Sequence, residues 1–292
     1  MSSLRSPIEL KQIPSDQLQT CSNKCTYKFD YGISDCKVRN QGDHLSLTFN
    51  SSSSDVTYNG ANCSVQEVRL YKPSLNNYYG TKVDAELIIN HSVGGGDNLV
   101  VCVPIRGSNA KSKSSTMMEP IIRLAPIDEA EGQHSVNVPN YSLNNVIPAA
   151  PFYTYKGSLP YDGQNGTYNI LIFDSNSPSA NTNVLTKSLE TLGTIIEPSS
   201  YSSVDNYDVK KIYYNKTGTG EQITGDDIYI DCQPVDGNGE IIGESASTQQ
   251  TVSEASDIDW KELFENPYFG TALGLGGALI IAYYVMKYLK NK

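Results

Sequence analysis

Two apolar segments separated by a glycine-rich turn place the strongest constraint on the fold. Residues 85–91 form the first segment, residues 94–97 read Gly-Gly-Gly-Asp, and residues 99–105 form the second. Short apolar runs on either side of a tight turn are typical of neighbouring buried strands. The sequence therefore predicts an antiparallel hairpin in the middle of a sheet.

Alternating apolar and polar residues predict further strands at residues 36–39, 45–49 and 65–71. In the last of these, Val68 and Leu70 are expected to face the opposite side of the sheet from Arg69 and Tyr71. An apolar run at 168–173 and the segments 207–214 and 228–232 add later strands. We expect one short helix at 183–192 and a surface loop at 107–118. The 38% hydrophobic content and the 20 tyrosines also favour a β-rich protein.

The six cysteines do not form the paired CxxC motifs of a structural zinc site. Cys21 and Cys25 lie in a polar segment, where a local disulfide and two free thiols are both open alternatives. Cys102 lies inside an apolar run and is predicted to be a small buried hydrophobic residue.

The net charge of −10 disfavours polyanionic partners. Lys287, Lys290 and Lys292 follow the last apolar segment, so the preceding part carries a net charge of −13. A surface this acidic repels phosphate backbones and sulfated glycans. We therefore expect neither nucleic acid nor glycosaminoglycan as a partner.

Residues 267–286 predict a single transmembrane helix. They are 20 consecutive uncharged residues, which at ~1.5 Å per residue span the ~30 Å of a bilayer core. Aromatic residues flank both ends, and lysines follow, as at membrane interfaces. The alternative is a buried core helix. Gly270, Gly274 and Gly277 would permit close helix packing and a homo-oligomer, although membrane helices are often glycine-rich in any case.

These features divide the chain into four parts. Residues 1–240 are expected to form the folded domain, 241–266 a polar and acidic linker, 267–286 the membrane helix and 287–292 a basic tail. The first residues carry no apolar segment typical of a secretory signal, so a tail-anchored, single-pass topology is expected.

Three separated parts of the sequence, in order, resemble the α-type carbonic anhydrase family. Ser6-Pro7-Ile8 is similar to the amino-terminal Ser-Pro-Ile of that family. Residues 82–91, Lys-Val-Asp-Ala-Glu-Leu-Ile-Ile-Asn-His, resemble its Val-Asp followed by Ala-Glu-Leu-His-Leu-Val-His. Residues 153–159, Tyr-Thr-Tyr-Lys-Gly-Ser-Leu, resemble its Tyr-Trp-Thr-Tyr-x-Gly-Ser-Leu. The resemblance implies an α+β domain with a central, twisted, mostly antiparallel sheet and short surface helices.

Zinc on three histidines carries the chemistry of that family. The resemblance aligns the three ligand positions with Arg69, Tyr71 and Ile88, which cannot form a tetrahedral zinc site. We therefore expect no catalytic activity and no cofactor. The resemblance places Glu86, Asn90, Leu159, Pro160 and Tyr161 around the same cleft.

The chain has three histidines, and none is expected to replace the missing ligands. His91 matches a histidine that packs structurally in the family. One alternative is a substitute metal site built from His44, His91 and His134. Another is an enzyme that uses a different metal.

The predicted architecture also resembles that of poxvirus envelope proteins, which combine a carbonic-anhydrase-like domain lacking zinc ligands with a carboxyl-terminal anchor. This resemblance implies a protein of a large DNA virus, in the virion inner membrane or capsid. We expect a minor capsid protein that contacts other virion proteins and tethers a protein shell to an internal membrane. The alternative is an attachment protein that binds a receptor or glycan in the cleft.

Overall fold

The chain folds around one large sheet, which the computed structural model describes together with its surroundings at residues 4–11, 13, 17–21, 25–49, 55–127, 135–161, 166–177 and 182–219. All of these residues belong to one compact unit, Met1–Ile223. The strands are β1 Glu9–Leu10, β2 Gln19–Thr20, β3 Tyr27–Asp30, β4 Ser34–Asn40, β5 His44–Phe49, β6 Asp55–Tyr58, β7 Ala61–Tyr71, β8 Asn77–Tyr78, β9 Ala85–Val93, β10 Leu99–Ser108, β11 Val136–Tyr141, β12 Phe152–Gly157, β13 Tyr168–Phe173, β14 Thr182–Leu185 and β15 Tyr213–Asn215.

The predicted hairpin is confirmed at the centre of this sheet. β9 and β10 pair antiparallel from His91 opposite Leu99 to Ala85 opposite Ile105. Within the described residues the sheet has 13 strands, in the order β11-β4-β5-β7-β9-β10-β13-β12-β15-β2, with β14 beside β10, β6 beside β7 and β3 beside β6. Most pairs are antiparallel, whereas β10 pairs in parallel with β13 and β14, and β15 pairs in parallel with β2. β1 and β8 form a separate two-stranded sheet.

Alternation along each strand divides the buried side chains into two clusters, one on each face of the sheet. Val68 and Leu70 belong to the larger cluster, which also packs against the helices. Tyr71 belongs to the second cluster, and Arg69 shares its face. This confirms the predicted facing of β7 and follows from the period-two geometry of a strand.

Two α-helices, α1 Lys113–Leu124 and α2 Thr186–Ile195, lie on the face of the larger cluster. The prediction of a surface loop at 107–118 is wrong, because residues 107 and 108 end β10 and residues 113–118 begin α1. Ser112 caps this helix by accepting a hydrogen bond from the Ser115 amide at 3.0 Å. The buried side chains of Met118, Ile121 and Ile122 then join the core.

The predicted helix at 183–192 is right in type and wrong in its start. Residues 182–185 form β14, which pairs with β10, and α2 begins at Thr186. The predicted strand at 207–214 is also shorter, because a 3-10 helix at Val209–Lys211 precedes β15.

Neither of the two described α-helices is long and apolar enough to cross a membrane. The predicted strand at 228–232, the linker, the span at 267–286 with Gly270, Gly274 and Gly277, and the basic tail lie outside the described residues.

Candidate functional site

The three residues aligned with ligand positions lie side by side on two neighbouring strands of the second cluster's face. β7 and β9 pair so that Arg69 lies opposite Ile88 and Tyr71 lies opposite Glu86. We name the surface around these side chains the central cleft. Leu159, Pro160 and Tyr161 follow β12 and are all buried.

Arg69 is held by neighbouring side chains of the central cleft. Its Nε lies 2.8 Å from Oε1 of Glu67, and its side chain is only 15% exposed. Its guanidinium carbon lies 3.9 Å from the centre of the Tyr161 ring. Nη1 donates to the Tyr71 hydroxyl at 3.3 Å. A carboxylate, an aromatic face and a phenol therefore satisfy the cation from within the chain.

Aromatic rings fill the space around Tyr71. The rings of His44, Tyr161 and Tyr201 have their centres 5.0, 6.3 and 6.3 Å from the Tyr71 ring. Burial raises the pKa of Tyr71, against the opposing effect of Arg69, so its phenol is neutral. Ile88 is 1% exposed and packs in the second cluster. Apolar and aromatic packing thus encloses Tyr71 and Ile88.

Glu86 is a fully buried carboxylate that organises the loop between β7 and β8. It accepts four hydrogen bonds: from the amides of Leu75 and Asn76 at 2.7 and 3.0 Å, the Asn76 side chain at 2.9 Å and the Tyr78 hydroxyl at 2.5 Å. Burial raises the pKa of Glu86, and these hydrogen bonds oppose the rise. The carboxylate therefore acts as a structural acceptor.

Asn76 joins this carboxylate to the amino-terminal segment. Its side-chain Nδ2 donates to Glu86, while its Oδ1 accepts the Ile8 amide at 2.9 Å. Two residues before Ile8, Ser6 Oγ lies 2.9 Å from the Tyr155 hydroxyl. The three sequence pieces that resemble the carbonic anhydrase family therefore meet in one region.

Close backbone approach at Gly157 completes this junction. Leu4 pairs in parallel with Gly157, and the Leu4 amide donates to the Lys156 carbonyl at 2.8 Å. A Cβ on Gly157 would lie 2.6 Å from Tyr155 Cε2 and 2.9 Å from Ser6 Oγ. Glycine is required here because the amino-terminal segment occupies the space that a side chain would take.

The two histidines among the described residues are far from forming a metal site together. His91 is fully buried, with Nε2 2.8 Å from the Tyr31 hydroxyl and Nδ1 3.3 Å from the Leu99 carbonyl. This confirms its prediction as a packed core histidine, and burial lowers the pKa of His91 to about 4. His44 contacts Asp43 and Tyr71 instead. His134 lies outside the described residues.

The donor atoms at the aligned positions do not fit zinc. A guanidinium cation repels a divalent metal, the Tyr71 phenol is neutral, and Ile88 has no donor atom. Among the described residues, no group of three His, Cys, Asp or Glu side chains is placed to hold a metal ion. No chemical step through a metal follows from this arrangement.

Sequence reasoning missed Glu67, Tyr201 and Asn76 as parts of the central cleft and its support. Glu67 shares a strand face with Arg69 at a spacing of two, which is a readable signal for an ion pair. Tyr201 and Asn76 lie in loops and reach the site through long-range packing, for which the sequence carries no such signal. Asn90 also lies on this face, half-buried, and its Oδ1 has no hydrogen-bond partner among the residues that the structure describes.

No family model and no curated protein matches the sequence, whereas several solved structures match the fold. The α-carbonic anhydrase of Photobacterium profundum superposes with a TM-score of 0.58 and 14% identity, over 72% of this chain and 88% of that one. The α-carbonic anhydrase of Thermovibrio ammonificans, in complex with sulfanilamide, gives 0.59 and 17%, over 72% and 86%. Dioscorin, in complex with ascorbate, gives 0.60 and 15%, over 74% and 87%. The chain therefore has the carbonic-anhydrase-like fold.

Proposed function

We propose that this chain is a non-catalytic carbonic-anhydrase-like module that a carboxyl-terminal helix anchors to a membrane. In this role it is a virion membrane or minor capsid protein that tethers a protein shell to an internal membrane. The observation that carries the proposal is the central cleft, where Arg69, Tyr71 and Ile88 stand at the ligand positions. Arg69 is paired with Glu67 and covered by Tyr161, so these positions offer no set of metal ligands, and protein contacts already engage the one charged side chain among them.

The absence of a fitting donor set argues against carbonic anhydrase chemistry, because that chemistry needs a metal with an open coordination position. A shared fold does not transfer an activity. The solved structures with this fold include dioscorin bound to ascorbate as well as carbonic anhydrases. In this proposal, the outer surface of the module binds partner proteins and its carboxyl-terminal segment binds the membrane.

Membrane attachment follows in this proposal from the 20 uncharged residues at 267–286. Flotation and alkaline extraction of membranes that carry the full chain test it. The wild-type chain should stay with the membrane, and Leu275→Arg should weaken its retention because a charge at the centre of a span is costly. Gln249→Arg in the linker is the matched control and should behave as wild type. Release of the wild-type chain by carbonate would refute the anchor.

Contacts with neighbouring virion proteins are the central expectation of the proposal. Crosslinking with mass spectrometry on the native particle or membrane should connect residues 1–240 to shell proteins and leave the cleft residues uncrosslinked. Crosslinks confined to copies of this chain, or to none, would contradict the tethering role. In parallel, metal analysis of the purified full chain should find no stoichiometric zinc.

Attachment to a receptor or glycan through the central cleft is the second candidate. Arg69 would have to supply the contact to an anionic group, yet Glu67, Tyr71 and Tyr161 already engage its guanidinium. A ligand would therefore have to displace protein contacts and pay for them. Binding of the chain to a cell surface or glycan array that Arg69→Met abolishes would favour attachment over tethering.

A further inference from the structure

Five of the six cysteines lie among the described residues, and they fall into two groups. Cys21 and Cys25 form a disulfide with Cα atoms 5.7 Å apart, whereas Cys36, Cys63 and Cys102 are buried free thiols. Burial raises the pKa of all three thiols, to about 12 for Cys36. Because a thiolate is the species that attacks disulfides, these buried thiols are poor partners for exchange.

The Cys25 end of the disulfide is firmly held. Cys25 is buried, and its carbonyl accepts the side-chain Nδ2 of Asn215 at 3.0 Å. The next residue exchanges two hydrogen bonds with Asn59: the Thr26 amide donates to Asn59 Oδ1 at 2.9 Å and the Asn59 amide donates to the Thr26 carbonyl at 2.8 Å. β3 then pairs with β6 over four residues. All of these contacts are backbone or amide hydrogen bonds, and none involves a sulfur atom.

The Cys21 end has few backbone contacts, and its packing comes from Leu18 in the second cluster and from Cys21 against the larger one. Cys21 is half-buried and directly follows β2, which is two residues long. Within the described part of the chain, β2 pairs with β15 alone, placing Gln19 beside Tyr213. The Gln19 amide donates to the Ile212 carbonyl at 3.3 Å, at the long end of hydrogen-bond distances. A strand this short at the edge of a sheet contributes little stability of its own.

We propose that the Cys21–Cys25 disulfide is a redox-sensitive clasp that holds the edge strand β2 against β15. The two cysteines are only four residues apart, so the bridge restricts the unfolded chain less than a long-range crosslink would. Its main effect is therefore local. Cleavage of the bridge releases β2 and uncovers the outer edge of β15, while Cys25, β3 and the rest of the sheet stay in place. This inference does not depend on the proposed function.

Reduction by a dithiol balances as two exchange steps. One thiolate of the dithiol attacks the sulfur of Cys21, the less buried of the two cysteines, the bond between the two cysteine sulfurs breaks, and Cys25 leaves as a thiolate that takes up a proton. The second thiol of the reagent then attacks its own mixed-disulfide sulfur and displaces Cys21. The protein gains two electrons and two protons, and the reagent leaves as a cyclic disulfide.

Hydrogen–deuterium exchange on the full chain tests this proposal, with dithiothreitol as the reductant. In the oxidised protein, amides at 17–21 should exchange at least ten times more slowly than after reduction. Amides at 213–215 should also exchange faster after reduction, whereas those of β9 should not change. The double variant Cys21→Ser/Cys25→Ser should exchange rapidly at 17–21 without reductant and should not respond to it.

Two results would overturn the clasp. Unchanged exchange at 17–21 after complete reduction, verified by alkylation of both thiols, would show that β2 is held without the bridge. An equal increase in the exchange rates of amides at 17–21 and in β9 would show that the disulfide stabilises the whole fold instead. Cys63→Ser serves as the matched control, because it removes a thiol outside the disulfide and should keep the wild-type response. If the double variant fails to fold, the measurement on reduced wild-type protein decides alone.

Discussion

The Tyr161 ring lies against the Arg69 guanidinium, 3.9 Å from ring centre to guanidinium carbon, and its hydroxyl reaches Glu67 Oε2 at 3.4 Å. One side chain thus contacts both members of the ion pair at the floor of the central cleft. The Arg69 side chain is 15% exposed and that of Glu67 is 32% exposed, so the two charges attract each other more strongly than a fully hydrated surface pair does.

The hydroxyl and the ring of Tyr161 should therefore contribute to stability separately. Tyr161→Phe keeps the ring and loses a long hydrogen bond, so we expect a loss of at most ~1 kcal/mol in the free energy of unfolding. Tyr161→Ala also removes buried ring surface and should cost about 3–4 kcal/mol. Urea unfolding of the full chain measures both. Equal losses for the two variants would show that the ring does not cover Arg69.

Ile88→His should not create a zinc site. Arg69 and Tyr71 would still occupy the other two aligned positions, so metal analysis should find less than stoichiometric zinc. The imidazole would also be buried among apolar side chains of the second cluster, at a cost of about 1–3 kcal/mol. Ile88→Val is the matched control, with an expected cost of about 1 kcal/mol. One zinc per chain in the Ile88→His variant would contradict the description of the cleft.

Glu86→Gln should destabilise the fold more than the loss of a surface charge does. All four groups around Glu86 donate hydrogen bonds to its oxygens, and the amide nitrogen of glutamine would face some of these donors. We expect a loss of about 2–3 kcal/mol in the free energy of unfolding. Glu190→Gln, at an exposed position of α2, should change it by less than about 0.5 kcal/mol. Equal effects would exclude the structural role of Glu86.

Gly157→Ala should displace the amino-terminal segment. A methyl group there would lie 2.6 Å from Tyr155 and 2.9 Å from Ser6, so we expect a loss of about 1–3 kcal/mol. Faster hydrogen exchange at residues 4–8 should accompany it. Gly96→Ala in the hairpin turn is the control, because its added Cβ meets no atom closer than 3.8 Å. Slow exchange at residues 4–8 in Gly157→Ala would contradict the junction.

His91 should make the fold less stable as the pH falls. Burial lowers the pKa of His91 from 6.5 to about 4, so between these values the unfolded chain binds a proton that the folded chain does not. The stability that neutral His91 contributes is complete above pH 6.5 and is lost progressively down to pH 4, by about 3 kcal/mol in all. His91→Gln should flatten the pH dependence of the unfolding free energy in this window. An unchanged slope would mean that His91 does not titrate as its burial implies.

Local patterns predict the parts of the fold that depend on local geometry. The apolar runs and the glycine turn identify β9 and β10, and alternation assigns the faces of β7, including Arg69 and Tyr71. Local patterns do not predict the α1 helix, because its first turn is rich in serine and lysine and Pro120 lies within the helix. Ser114 and Ser115 can be buried because their hydroxyls donate hydrogen bonds to the Asn183 carbonyl. This contact joins distant parts of the sequence.

The sequence likewise predicts some features of the central cleft and not others. The resemblance already predicts that positions 69, 71 and 88 hold no zinc, because a guanidinium, a neutral phenol and an alkyl group are poor zinc ligands. The filling of the cleft does not follow from sequence, because it depends on where the loop residues Tyr161 and Tyr201 pack. The parallel pairing of β10 with β13 and β14 is likewise a long-range outcome of topology.

The Glu67–Arg69 pair also limits how this surface can change by mutation. Replacement of Arg69 alone leaves the Glu67 carboxylate without its cation, and replacement of Glu67 alone leaves a poorly hydrated cation under Tyr161. Either single step is therefore expected to be worse than the starting sequence or the double change. A new binding site at this position would require coordinated substitutions, so selection acting one residue at a time is more free to remodel the outer loops and strand edges.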